Sequence, residues 1–285
     1  MTAVQGNQQV VIPASENPVV AGVLAGVAAR EAVIPFQEIK ARSRSLSDNR
    51  DALAALLRPG CGVIVEIKRT SPVFGPTHVT HTAQSVGALA AEIESGGAAL
   101  IACQTERLRF DGSLQDMQEA RRATSLPMVC RDVIVDPYQI HEARCYGADM
   151  VPLQVGLLEQ ARLESLLDRV ESLGMVGMAE VRTPEEADRA LAAGATVIGV
   201  NSWTFDTNEV NRQAFSDIEP GLPESVVRIS LGGVRNARDL MAAASTGADA
   251  VIAGEAVMNS NDVTAATRKL VAAGQHPACP SRWGG

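Results

Sequence analysis

A phrase recurs four times along this chain: GGAALIACQ (96–104), GADMVPLQV (147–155), GATVIGVN (194–201) and GADAVIAGE (247–255). Each reads as a glycine ending a helix, a short linker and a buried apolar strand. The interval is roughly 50 residues, too long for one strand–helix unit and right for two. Strands should therefore also fall halfway, and apolar runs stand at those places: GVIVEIK (62–68), LPMVCRD (126–132), MVGMAEV (175–181) and VVRISLGG (226–233). Strands that alternate with helical stretches such as TPEEADRALAAG (183–194) and NARDLMAAASTG (236–247) pair in parallel, and eight such units close on themselves. The fold class predicted is α/β, a (β/α)8 TIM barrel. An open doubly wound sheet is the runner-up, but no G-x-G-x-x-G follows the first strand.

The helices carry their own punctuation. Thr183, Pro184 and the Glu185–Glu186 pair form an N-cap, a first-turn proline and an acidic first turn, and Gly194 closes that helix. Residues 18–45 precede the first strand, and their apolar spacing predicts one or two helices capping an end of the barrel. Residues 1–17 are expected to be a flexible segment, 18–273 a single barrel with its N-terminal helical extension, and 274–285 a flexible tail.

Composition narrows the function classes. A net charge of -8 argues against nucleic acid or an anionic membrane as partner, yet leaves room for a small phosphorylated substrate held by a few focused cations. No apolar stretch approaches the roughly 20 residues of a membrane helix, and the first residues lack a signal-peptide pattern, so a cytoplasmic location is expected. The five cysteines are scattered without a C-x-x-C, which predicts neither disulfides nor zinc; most read as small apolar fillers, with Cys279 in the tail expected to be exposed. His78, His81 and His141 have no metal-ligand spacing and read as surface or helix residues, so no metal is expected.

In a closed barrel, polar residues at the C-terminal ends of strands are the prime functional candidates. Those ends supply Glu66 and Lys68 on the first strand, Arg131 on the third, Glu180 on the fifth and Asn201 on the sixth. Only three of the 25 basic residues are lysines, which singles out Lys68 inside a strand. Glu66 and Lys68 are two apart and share a face; a charged pair there is costly unless paired or used. It is either a working pair or a salt bridge that closes the barrel top. Glu180 is a general-base candidate, with helix capping as its plainer role, and Asn201 either orients a ligand or Glu180, or holds the next loop. The turns LGGV (231–234) and GEAV (254–257) follow the seventh and eighth strands, where backbone amides seat phosphate in this architecture.

These residues resemble a known family. VEIKRTSP (65–72), RFDGSLQDM (109–117), RDVIVDPYQIHEARCYGAD (131–149), MAEVRTPEEADRAL (178–191), IGVN (198–201) and GADAVIAGEAVM (247–258) resemble indole-3-glycerol phosphate synthase. The resemblance implies a lyase of tryptophan biosynthesis. It would close the indole ring of a phosphorylated, anthranilate-derived ketose with loss of carbon dioxide and water, without a cofactor, and other enzymes of the tryptophan pathway are conceivable partners. By resemblance, Glu66 would position the catalytic groups and substrate amine, and Lys68 would bind the departing carboxylate and serve as an acid. Glu180 would be the base for dehydration, with Asn201 its polar neighbour. Ser71 and Phe110 would line the substrate pocket, and Gly233 and Gly254 would help seat the phosphate, in turns that also hold Gly232 and Glu255.

The chain also departs from the family pattern. Where the family has Lys-Asp-Phe at the end of the third strand, this chain has Arg131, Asp132 and Val133. The family lysine is the expected acid for ring closure; an arginine, with a pKa above about 12, is a poor proton donor. Loss of a general acid typically costs about 100- to 10,000-fold in rate. Trp203 stands for an arginine, Leu231–Gly232–Gly233 for Glu-Ser-Gly, and Val73–Phe74–Gly75 for Ser-Lys-Gly. The pocket thus loses polar groups and gains aromatic ones. Three readings follow: the family reaction with Lys68 as acid, a paralogue acting on a different phosphorylated substrate in a specialised pathway, or a non-catalytic barrel that binds a phosphorylated ligand.

Overall fold

The computed structural model describes residues 17–72, 75–78, 84–203 and 209–283. Its centre is a closed, all-parallel barrel. The strands, in chain order, are β1 (Gly62–Ile67), a hairpin β2 (Thr70–Ser71) and β3 (Gly75–Pro76), then β4 (Leu100–Gln104), β5 (Met128–Arg131), β6 (Met150–Gln154), β7 (Val176–Val181), β8 (Val197–Asn201), β9 (Val227–Leu231) and β10 (Ala250–Ala253). The barrel runs β1-β10-β9-β8-β7-β6-β5-β4 and closes through β1 against β4, leaving the hairpin outside. All eight predicted barrel strands are present.

The helices are α1 (Pro18–Glu31), α2 (Phe36–Arg44), α3 (Ala52–Leu56), α4 (Val86–Ser95), α5 (Arg107–Phe110), α6 (Leu114–Ala123), α7 (Pro137–Cys145), α8 (Gln160–Ser172), α9 (Pro184–Ala192), α10 (Ala214–Ile218), α11 (Ala237–Ser245), α12 (Glu255–Met258) and α13 (Val263–Gly274). α9 starts as the sequence dictates: the Thr183 hydroxyl accepts from Glu186 N, with Pro184 in the first turn. Asn236 caps α11 in the same way.

Strand alternation sorts side chains into two shells. On β1, Val63, Val65 and Ile67 join the apolar layer beneath the helices, while Ile64 joins the cluster that fills the barrel. The barrel filling also takes Leu100 and Ala102, Val129, Met150, Met178, Val197, Ile229 and Ile252. One or two further steps of two along six of these strands reach the mouth, and the residues there are Glu66, Gln104, Arg131, Gln154, Glu180 and Asn201. The apolar floor and the polar mouth are thus successive layers of one alternating pattern.

The other end of the barrel is sealed. The helices expected over residues 18–45 form, but α1 and α2 pack against α7; α3, beyond that stretch, supplies Ala52, Ala55 and Leu56 to the barrel-filling cluster. The GAD phrases place an aspartate just before β6 and β10. Asp149 accepts from Met128 N at 2.9 Å and Arg50 N at 2.8 Å and pairs with Arg121. Asp249 accepts from Arg228 N and Trp283 Nε1, both at 2.8 Å, and pairs with Arg282 at 2.7 Å. The tail expected to be flexible supplies Arg282 and Trp283 to this seal. Cys279 corrects its expectation: it is buried, with its thiol directed at the Ala273 carbonyl oxygen 3.2 Å away, because the tail folds back under the barrel. Cys61, Cys103 and Cys130 are buried fillers, as read from the sequence. His141 is a fully buried helix residue whose Nδ1 lies 2.7 Å from Ser43 Oγ. His78 is exposed, and His81 and Phe74 lie outside the described residues.

Candidate active site

The mouth of the barrel holds a continuous ion network. Lys68 Nζ lies 3.2 Å from Glu66 Oε2 and 2.7 Å from Glu255 Oε1. Arg131 spans two acids: its Nε is 3.3 Å from Glu66 Oε1 and its Nη1 is 2.5 Å from Glu180 Oε2. Gln104 Nε2 donates to Glu66 Oε1 at 3.3 Å, and Asn201 Nδ2 donates to Glu180 Oε1 at 2.7 Å. Asn201 Oδ1 in turn accepts from Trp203 N at 2.9 Å. All five residues proposed from the sequence as catalytic therefore converge, and all are buried.

The charges hold one another ionised. Burial works against the Glu66 carboxylate, but Lys68 and Arg131 outweigh it and hold its pKa below the ordinary range. Burial likewise works against the Lys68 ammonium, and Glu66 with Glu255 reverses this and raises its pKa. For Arg131 the same opposition ends with its pKa raised by Glu180 and Glu66. The Arg131 guanidinium, charged at neutral pH in any case, is thus held in its charged form by both neighbouring acids. Asp132, next in the chain, is pushed up to about 6 by burial, against the Thr105 hydroxyl that donates to it at 2.7 Å.

One cavity opens over this network. Its wall includes Glu66, Lys68 and Arg131, while Glu180 sits behind Arg131 and Asn201. Ser71, delivered by β2, lines it, as do Gly232, Gly233, Gly254 and Glu255 from the turns after β9 and β10. A Cβ at Gly254 would lie 2.7 Å from Lys68 Cε and 2.8 Å from Glu66 Oε2, so any side chain there would displace the Lys68–Glu66 pair. Trp203 and Phe110 both line the cavity and meet edge to face, with ring centroids 6.1 Å apart. Leu231 extends this apolar side.

Sequence reading missed Gln104 and Gln154, the strand-end residues of the first two recurring phrases, both of which line the cavity. Their signal was the same as that of Glu66, the last inward position of a strand; being uncharged, they did not stand out. It also missed Glu106, Arg212 and Arg235, which reach the cavity from loops and carry no strand-end signature.

The family model for indole-3-glycerol phosphate synthase matches residues 17–270. The chain is 52% identical over 259 residues to the indole-3-glycerol phosphate synthase of Mycobacterium leprae (strain Br4923), spanning 91% of this chain and 94% of that protein. It is 51% identical over 263 residues to the same-named protein of Saccharopolyspora erythraea, spanning 92% and 96%. Among solved structures, thiamine phosphate pyrophosphorylase from Pyrococcus furiosus superposes with a TM-score of 0.56 at 19% identity, covering 78% of this chain and 96% of that one. At that identity the likeness speaks for the barrel alone.

Proposed function

Since the chain belongs to the indole-3-glycerol phosphate synthase family, we propose that the network at its barrel mouth performs that family's ring closure with altered proton handling. The chain is a carboxy-lyase of tryptophan biosynthesis acting on a small phosphorylated substrate. The observation that carries the assignment of roles is the convergence of Glu66, Lys68, Arg131, Glu180 and Asn201 in one connected network beneath one cavity.

In this scheme the aromatic carbon bearing the carboxylate attacks the ketone carbon of the ketose. The carbonyl oxygen takes a proton and becomes a hydroxyl. Lys68 is the donor, because Arg131 keeps its proton; Arg131 instead stabilises the negative charge that develops on that oxygen. The carbon–carboxylate bond then breaks, carbon dioxide leaves, and its electron pair returns to the ring. In the last step Glu180 removes the proton from the carbon bonded to nitrogen, and the hydroxyl leaves as water with a second proton from Lys68, recharged from solvent after the first step, so that the aromatic indole ring forms. Glu180 holds hydrogen bonds on both oxygens, so this step follows a shift of Arg131 toward the anionic substrate that frees one of them. Glu66 holds Lys68 and Arg131 in register. Gly233 and Gly254 seat the phosphate, Ser71 lines the pocket, and Phe110 and Trp203 face the aromatic ring.

A second reading, the same reaction class on a ketose with different ring substituents, is favoured by the apolar side built from Trp203, Phe110 and Leu231. We read the enzyme as cytoplasmic, without nucleic-acid or membrane partners; no single helix among the described residues is long and apolar enough to cross a membrane. The test is conversion of 1-(2-carboxyphenylamino)-1-deoxyribulose 5-phosphate by the purified chain, followed by indole absorbance. Turnover abolished by Lys68→Ala and accelerated by Arg131→Lys is expected. No turnover of this or ring-substituted ketoses, with Arg131→Lys equally inert, would leave a binding barrel.

A further inference from the structure

Four basic side chains border the active-site cavity: Lys68, Arg131, Arg212 and Arg235. Three of them already hold acids. Lys68 pairs with Glu66 and Glu255, Arg131 with Glu66 and Glu180, and Arg235 Nε lies 3.0 Å from Asp239 Oδ2. Among the described residues Arg212 forms no ion pair.

The charge balance makes this one cation informative. In the network, the two cations Lys68 and Arg131 face three carboxylates, Glu66, Glu180 and Glu255. A phosphate monoester brings about -1.5 to -2 more. Backbone amides in the glycine turns orient and attract such a group through their dipoles but add no net charge, so a cation not already neutralised offsets the surplus negative charge directly.

Arg212 is also held where that cation is needed. Trp203 and Val210 form an antiparallel bridge, and Asn211 N donates to Ser202 O at 2.7 Å, so the chain after β8 doubles back at the mouth with Arg212 on the cavity wall. Burial opposes ionisation of Asp239 in the first turn of α11, yet Arg235, with a smaller contribution from Arg212, holds that carboxyl below its ordinary range. Arg212 and the Gly232–Gly233 turn, which leads on toward α11, line the same cavity.

We propose that Arg212 grips the phosphate of the substrate, closing from the β8 side over the seat made by the Gly232–Gly233 turn. Its planar fork supplies paired N–H donors to two phosphate oxygens, which a neutral side chain cannot replace. The inference rests on the family's phosphorylated substrate, and it adds a binding residue from a loop where the strand-end pattern offers none.

The experiment compares wild type, Arg212→Gln, Arg212→Lys and, as a control for long-range attraction, Arg238→Gln, an exposed arginine of α11 that does not line the cavity. Arg212→Gln should raise KM about 10-fold or more, change kcat by less than about threefold, and weaken competitive inhibition by inorganic phosphate by a similar factor to KM. Arg212→Lys should recover much of the loss, and Arg238→Gln should change little. An unchanged KM and phosphate inhibition in Arg212→Gln overturns the proposal. So does a raised KM with phosphate inhibition intact, or an equal effect of Arg238→Gln. If wild type turns over no ketose, the reading of the reaction fails. Arg212 is then judged by calorimetric titration with inorganic phosphate, where equal affinity in wild type and Arg212→Gln rejects it.

Discussion

Both ends of this barrel bury charge, and they do so with different partners. At the sealed end, Asp149 and Asp249 accept backbone N–H groups as well as arginines. At the open end, among the described residues, Glu66 and Glu180 accept from side-chain donors alone: Lys68, Arg131, Gln104 and Asn201. Backbone donors are fixed by the strands that carry them, so the aspartates are committed to one arrangement. Side-chain donors can change partners when an anion enters. Burial and pairing alone do not separate a structural acid from a working one; the mobility of its donors does.

Substitutions can break or sharpen that contrast. The largest expected effect is at the open end: Glu180→Gln should lower kcat by about 100- to 10,000-fold, read by indole absorbance, with little change in the urea midpoint. A loss of stability matching that of the aspartates would erase the distinction. At the sealed end, Asp249→Ala should cost about 3–5 kcal/mol by urea unfolding, because it strands Arg282 and uncaps Arg228 N. Removing residues 276–285 should destabilise by less than that, and the two changes together by less than their sum, since they delete the same contacts.

Arg131→Lys comes next, with kcat raised by about 100-fold as a proton donor is placed on β5. The same change should lower stability by about 1 kcal/mol, because one ammonium cannot span Glu66 and Glu180 as the guanidinium does. The smallest effect belongs to His141, away from both ends. Burial lowers its pKa to about 4 from an ordinary 6.5, so the unfolded chain binds the extra proton between those values. Its contribution to stability is complete above pH 6.5 and is lost as pH falls toward 4. Subtracting the urea midpoints of His141→Gln from those of wild type across that window should expose a fall of about 1 kcal/mol; a flat difference would assign the acid sensitivity elsewhere.

Much of this contrast was legible before any coordinates. The recurring phrase placed the strands, and strand alternation put Glu66, Lys68, Arg131, Glu180 and Asn201 at one mouth. What stayed hidden depends on residues far apart in sequence. Nothing in VVRISLGG or GADAVIAGE says that Asp249 will meet Arg282 and Trp283, and a polar, Pro- and Gly-rich tail gives no periodicity from which to read docking. Gln104 and Gln154 were visible but uncharged. Arg212 lies eleven residues past Asn201, beyond the reach of a strand-end rule, and only the loop's return brings it to the cavity.

The turn at Gly232 bears on how such a pocket can change. Its φ is +84°, and a Cβ there would fall 2.4 Å from Asn201 Oδ1 and 3.0 Å from Trp203 N. A side chain introduced at position 232 therefore needs Asn201 and the backbone at Trp203 to move with it. The loop that carries Asn201 and Trp203 would have to rearrange as well, so positions 203 and 232 are structurally coupled. Redesigning this side of the pocket means changing both positions as a unit, and libraries that sample one position at a time will report both as dead ends.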